Sequence, residues 1–204
     1  MRPLRLGILG SGKGTNFLAL VHALHEGTVP GEVVSVGSDQ AEAGILDSAR
    51  SLGLSVFVCR RGAFQTKLEP EIEEELADEL SRAGAELVVL AGYMRVVKTP
   101  LLRRFAGRMI NIHPSLLPAF PGLRAWEQAW RSGVKETGCT VHWVNEVVDG
   151  GDVIRQAKVP VLAGDTAESL HARIQMAEHR LLPEVVRDLA LGKIAWERDP
   201  RRPV

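Results

Sequence analysis

Residues 87–91 read LVVLA and are closed by Gly92, and this run constrains the fold more than any other. A strand that is apolar at every position has no face to offer water, so it suits a central parallel strand covered on both sides. The rest of the chain supplies its companions. Residues 4–9 form a short apolar run ending in Gly10-Ser11-Gly12-Lys13-Gly14, and residues 15–26 then carry Phe17, Leu18, Val21 and Leu24 at helical spacing. A second strand at 32–36, a helix at 43–52 and a third strand at 54–59 follow. Ile72, Leu76 and Leu80 stand four apart on one face of an acidic stretch, which predicts an amphipathic helix. Residues 109–112 make another strand, cut off by Pro114. Strands alternating with helices imply an α/β, doubly wound, mostly parallel sheet with helices on both faces. Ligands of such sheets bind beyond the carboxyl ends of the strands, so the places to search lie after Leu9, Ala91 and Ile112.

The second half changes character. Residues 115–123 hold Pro118, Pro121 and Gly122 and predict an irregular loop. Two β-like runs, 140–148 and 153–161, are separated by Asp149-Gly150-Gly151-Asp152, an antiparallel hairpin signal. Asp165 followed by Glu168 resembles a capping box opening a long helix to about residue 190, which Pro183 should bend or divide. Residues 193–198 read as a last edge strand. With no repeat, low-complexity segment or linker, residues 1–204 are expected to form a single domain.

The 204 residues carry 25 Lys+Arg against 25 Asp+Glu. Zero formal charge argues against a chain whose main work is gripping nucleic acid or an anionic membrane. The acidic stretch 69–79 and the basic tail 198–202 read as solvated surface. The apolar run in the first ten residues is too short for a signal peptide, and no stretch approaches the ~20 apolar residues of a membrane span. A soluble, cytoplasmic protein is expected. Cys59 and Cys139 form no CxxC pair and read as small buried hydrophobes. His22 and His25 lie three apart without a third ligand, and His142, His171 and His179 lack metal-type spacing, so no metal is expected.

Two features carry chemistry. The glycine loop fails as a dinucleotide fingerprint, which would need glycine where Thr15 stands, and as a Walker A loop, which needs Ser or Thr where Gly14 stands. A tight turn, or an anion site on the free N–H groups of the following helix, remains. Asn111 and His113 are two apart in a strand and therefore share a face at the carboxyl end of the sheet. An amide can donate to a developing oxyanion and an imidazole can move a proton near neutral pH. The pair suits acyl or formyl transfer if a carboxylate tunes the imidazole. Asp149 is the candidate, although alone it reads more simply as a turn aspartate.

At these residues the chain resembles the folate-dependent phosphoribosylglycinamide formyltransferases. The matching segments are 11–16 (SGKGTN), 90–95 (LAGYMR), 111–118 (NIHPSLLP), Thr140-Val141-His142, Asp149-Gly150-Gly151, 156–160 (QAKVP) and Glu178-His179, spread in family order over about residues 4–189. The resemblance implies formyl transfer from 10-formyltetrahydrofolate, as co-substrate, to the amine of glycinamide ribonucleotide in purine biosynthesis. It implies a phosphate-binding half over about 1–100, a folate and catalytic half over about 101–190, and an extension over about 191–204. Carried over by position, Gly14, Thr15, Asn16 and Glu178 hold the ribonucleotide. Met94, Arg95, Val96 and Val97 border the folate, with Asn111 reaching it as well. Asn111 and His113 stabilise the tetrahedral oxyanion, and Asp149 raises the pKa of His113 and assists proton removal. The family's folate-side arginine is here Lys67, which keeps the charge but not the planar fork. Its histidines after the Pro-Gly-Leu segment are here Arg124 and Trp126. The partners implied are these small molecules alone, with no nucleic acid or membrane, in a monomer or homodimer.

Related readings are weaker. Methionyl-tRNA formyltransferase carries a further carboxyl-terminal RNA-binding domain and has an unlike glycine loop, and formyltetrahydrofolate deformylase carries an amino-terminal regulatory domain; neither extra domain is expected here. A nucleotide-binding regulatory module would rest on the near-miss Walker loop and leave Asn111, His113 and Asp149 without purpose.

Overall fold

The computed structural model describes residues 2–60 and 62–197. In chain order its elements are β1 (Leu4–Leu9), α1 (Thr15–His25), β2 (Gly31–Ser38), α2 (Gly44–Ser51), β3 (Val56–Val58), α3 (Pro70–Arg82), β4 (Leu87–Leu90), α4 (Thr99–Arg104), β5 (Met109–His113), α5 (Ala125–Ser132), β6 (Glu136–Trp143), β7 (Val153–Pro160) and α6 (Ala167–Ala190). The strands form one sheet in the order β3-β2-β1-β4-β5-β6-β7. The first five are parallel, whereas β5–β6 and β6–β7 pair antiparallel.

Alternation along the strands builds two cores. Leu4, Leu6 and Ile8 of β1, Leu87 and Val89 of β4, and Ile110 and Ile112 of β5 face α1, α2 and α6. Leu9, Val88, Leu90 and Met109 face α3 and α4 on the other side. Every residue of β4 is buried, as its unbroken apolar run requires. Gly7 is needed where α3 comes closest: a Cβ there would lie 2.7 Å from Leu80 Cδ2 and 3.0 Å from the Ala85 Cβ.

The second half departs from the expectations in several places. The ladder of β6 stops at Trp143, so residues 144–148 are not strand. Asn145 accepts the Val147 N–H at 2.9 Å, a side-chain turn that competes with strand pairing, and Trp143 N–H donates to the Asp152 carbonyl at 2.9 Å to close the hairpin. The connection is therefore the whole of 144–152 rather than a tight Asp-Gly-Gly turn. The capping box of α6 lies one residue later than expected: Thr166 accepts from Ser169 N–H and Ser169 Oγ accepts from Thr166 N–H. Asp165 instead binds Ser169 Oγ and Arg173. Pro183 does not divide α6, because the residues around it are buried and packing outweighs the missing hydrogen bond. Residues 193–197 are not an edge strand; Trp196 packs near Trp143 and donates to the Leu189 carbonyl at 3.2 Å. Arg198 and the basic tail lie outside the described residues.

Gly7→Val should lower stability by about 1–3 kcal/mol through overpacking against Leu80. Urea unfolding should show the loss as a lower midpoint with unchanged slope, and an unchanged midpoint would disprove the tight β1–α3 approach.

Candidate active site

Strand order reverses between β1 and β4, and the chain leaves these strands for opposite sides of the sheet. A crevice opens at the carboxyl ends of the strands there. The structure shows a cavity of roughly 520 Å³ in this place, within the usual range for small-molecule sites. The segments following β1, β4 and β5 line it, together with the 144–149 connection and one face of α6. All three places marked by the sequence therefore meet in one cavity.

Asn111 and His113 project into it from β5, and Asp149 faces them from the β6–β7 connection. His113 Nδ1 lies 3.4 Å from Asp149 Oδ2, and His113 Nε2 lies 2.9 Å from the Phe120 carbonyl oxygen. Both groups are nearly buried, with side chains 6% and 10% exposed. Asp149 also accepts the Gly122 N–H at 2.8 Å, which ties the 115–123 loop to the site. Burial lowers the His113 pKa, while the Asp149 charge and the Phe120 carbonyl raise it. Asp149 pulls in the expected direction, but burial outweighs it and the net shift is downward. Burial pushes the Asp149 carboxyl up, but the neighbouring His142 and His113 rings and the Gly122 N–H bring it below the ordinary value.

His142, which the sequence placed in a matching segment but gave no role, belongs to this cluster. Its Nδ1 faces the Trp143 carbonyl at 2.7 Å, its Nε2 lies 3.2 Å from Asn111 Nδ2, and Asp149 Oδ1 is 3.7 Å away. A ring that donates through Nδ1 leaves Nε2 as acceptor for the Asn111 amide and fixes which way that amide turns. The register Asn111↔His142 across β5 and β6 produces the contact.

At the other end, Gly14 caps α1 with a left-handed backbone (φ +78°), and a Cβ would lie 2.7 Å from Ile45 Cβ. No side chain caps this helix, so its first N–H groups face the cavity at the positive end of the helix dipole. Asn16 Nδ2 donates to Glu178 Oε2 at 2.9 Å, while the buried Asn16 Oδ1 has no partner among the described residues. Burial raises the Glu178 pKa to about 7, against the pull of Asn16. Gly14, Thr15, Asn16 and Glu178 thus come together as expected. Sequence reasoning gave their neighbours no place in the site. Trp126 stacks on His171 with ring centroids 3.8 Å apart and planes 5° apart, and Gln175 completes the wall. His171, Gln175 and Glu178 follow the i, i+4, i+7 spacing of one helix face, the signal that could have found them.

Met94, Val96 and Val97 line the third side. Arg95 belongs to the same segment, but its guanidinium is 4% exposed and ion-paired with Asp39 at 2.6 Å, so its side chain is committed to the interior. Lys67 does not line the cavity; its amine lies 4.4 Å from the Phe64 ring centroid, and its backbone bridges to Val96. Arg124 lines the cavity but pairs with Glu127 at 2.5 Å. Among the described residues no three or more histidine, cysteine or carboxylate side chains are grouped so as to hold a metal ion.

Residues 4–186 match the formyl transferase family. Phosphoribosylglycinamide formyltransferase of Escherichia coli is 38% identical over 206 residues, covering 98% of this chain and 96% of the relative. The enzyme of that name from Haemophilus influenzae is 37% identical over 190 residues, 93% of this chain and 89% of its own. The crystal structure of glycinamide ribonucleotide transformylase 1 from Symbiobacterium toebii superposes with a TM-score of 0.90 at 47% identity, covering 97% of this chain and 92% of that one. The chain belongs to the formyl transferase family, in the company of the phosphoribosylglycinamide formyltransferases.

Proposed function

We propose that this formyltransferase moves the formyl group of 10-formyltetrahydrofolate to the primary amine of glycinamide ribonucleotide. The observation that carries the reading is the joining, in one cavity, of an anion-ready helix start at Gly14–Asn16 and a buried amide–imidazole–carboxylate group at Asn111, His113 and Asp149. Phosphate suits the uncapped N–H groups of α1, and Lys13 lines the same end as a cation. The unpartnered Asn16 Oδ1 and the Glu178 carboxyl suit the hydroxyls of a ribose. The apolar flank of Met94, Val96, Val97, Val144 and Val147 suits a flat ring system, with backbone groups of 94–97 to orient it. Lys67 would act only from the rim.

In the transfer, the amine lone pair attacks the formyl carbon and the carbonyl oxygen takes up negative charge. Asn111 donates to that oxyanion through the Nδ2 hydrogen that His142 does not use. The His113 Nε2–H now donates to the neutral Phe120 carbonyl; a charged oxyanion is the stronger acceptor and takes over that hydrogen bond. Developing negative charge also offsets the burial that holds His113 below its ordinary pKa, so the ring takes up a proton from solvent as the oxyanion forms and returns it when the oxyanion collapses, with Asp149 supporting the imidazolium in between. The amine then loses a proton, with Asp149 assisting. The carbon–nitrogen bond to the folate breaks, its nitrogen gains the proton that the amine lost, and formyl has been exchanged for hydrogen.

A spectrophotometric assay with both substrates tests the reading. Asn111→Ala and His113→Ala should each cut kcat by about 10²–10³ while far-UV circular dichroism stays native. A variant retaining wild-type kcat would remove that residue from the mechanism, and donor hydrolysis without the ribonucleotide would replace transfer by deformylation.

Glu178 yields a second prediction. Its carboxyl has a folded pKa of about 7 against an ordinary 4.5, so between those values the unfolded chain has lost a proton that the native state keeps. Stability therefore falls as pH rises from about 4.5 to about 7 and then levels off, by roughly 3 kcal/mol at most. Glu178→Gln should flatten this fall and raise Tm at pH 8, while raising the KM of the ribonucleotide. An unaltered Tm profile would show that Glu178 ionises freely.

A further inference from the structure

Asp39 follows the end of β2 and is nearly enclosed, its side chain 1% exposed. It touches two other loops directly and reaches a third through Arg95. Oδ1 accepts from Ser11 Oγ of the glycine loop at 2.6 Å. Oδ2 accepts from Arg95 Nε of the segment after β4 at 2.6 Å and from Gln40 Nε2 at 2.9 Å. The same guanidinium donates through Nη1 to the carbonyl of Phe64, in the loop between β3 and α3. Ser11 has a second role, because its Oγ accepts the Met94 N–H at 2.9 Å. One hydroxyl thus joins the loop on the anion side of the cavity to the segment on its apolar side, and a buried charge pair anchors the hydroxyl. Ser11 N–H donating to the Gly92 carbonyl at 3.0 Å makes a parallel tie through the backbone.

We propose that Ser11 and Asp39 are positioning residues that lock residues 93–97 to the glycine loop and so set the place of the formyl donor relative to the phosphate-held acceptor. Neither side chain touches a reacting atom. The donor part of the inference rests on the transfer reading above, whereas the locking part concerns the protein alone. A carboxylate is required at residue 39 because it must receive the hydroxyl on one oxygen and the guanidinium on the other. The hydroxyl is required at residue 11 because it must donate to Asp39 and accept from Met94 at once, which no apolar side chain can do.

The test pairs Ser11→Ala with Ser11→Thr. The alanine variant leaves the Asp39–Arg95 pair intact and removes only the bridge. Its Met94 amide should exchange with solvent about tenfold faster, and its KM for 10-formyltetrahydrofolate should rise about tenfold, the size expected for one lost hydrogen bond. The ribonucleotide KM should stay within about twofold. Ser11→Thr, which keeps the hydroxyl, should restore both values. Asp39→Asn keeps an acceptor for Ser11 but strands the Arg95 charge, and should raise the donor KM further. Faster exchange with an unchanged donor KM overturns the positioning role, and so does an equal rise in both KM values, which would mean general loosening. Unchanged Met94 exchange overturns the lock itself. Wild-type protein that transfers no formyl group overturns the donor reading instead, and the exchange measurement then still decides whether Ser11 holds the segment.

Discussion

The pairing of β1 with β4 is the contact on which the site depends. Leu6 to Leu9 lie beside residues 87–90 in parallel register, and the ladder continues past the strands as Ala91 N–H donates to the Leu9 carbonyl at 2.8 Å. Residues far apart in sequence thereby leave the sheet side by side, one as a glycine loop and the other as Gly92-Tyr93-Met94. Only an interior strand apolar on both faces can hold this place, and the buried run of β4 meets that demand. The cavity is the space the two departing loops leave between them.

Three carboxylates at this end of the sheet show how surroundings set charge. Asp39 is pushed up by burial yet held below the ordinary value by Ser11, Arg95 and Gln40. Asp149 is buried between two imidazoles and a backbone N–H and is also held low. Glu178 has only a neutral amide beside it, which offsets little of the burial, and is held high. Removing one partner of a buried pair such as Asp39–Arg95 costs about 3–5 kcal/mol, so these groups shape the fold as well as the chemistry.

Much of this was legible in the sequence, for identifiable reasons. Strands β1, β4 and β5 announce themselves because both-face burial forces continuous apolar runs, and Asn111 and His113 announce themselves because period-two alternation fixes their shared face. The Thr140 to Trp143 stretch was read as strand, but nothing local says that His142 would stand opposite Asn111; that follows from cross-strand register. Short helices α4 and α5 carry too few turns for periodicity to stand out. Arg95 lies in a segment whose backbone borders the cavity, yet its side chain turns inward because Asp39, from a distant strand end, neutralises it. The stop of β6 at Trp143 goes with two Asn145 side-chain hydrogen bonds, to Val147 and Gly150, a choice that β-propensity does not register.

Asp149, Phe120 and Arg124 have left-handed backbones, with φ of 53°, 56° and 54°, and are the only described residues other than glycine that do. Asp149 lines the cavity beside His113 and Arg124 lines it at the start of α5, while Phe120 holds the His113 ring through its carbonyl. Such conformations cost a non-glycine residue energy that surrounding contacts must supply. At residue 149 the backbone itself restricts the side chains that fit, since asparagine and glycine tolerate this geometry and branched residues do not. Alanine there changes charge and conformation together. Asparagine changes charge alone and glycine relieves conformation while deleting the side chain, so comparing those two replacements separates the electrostatics of the carboxylate from the shape of the turn that presents it.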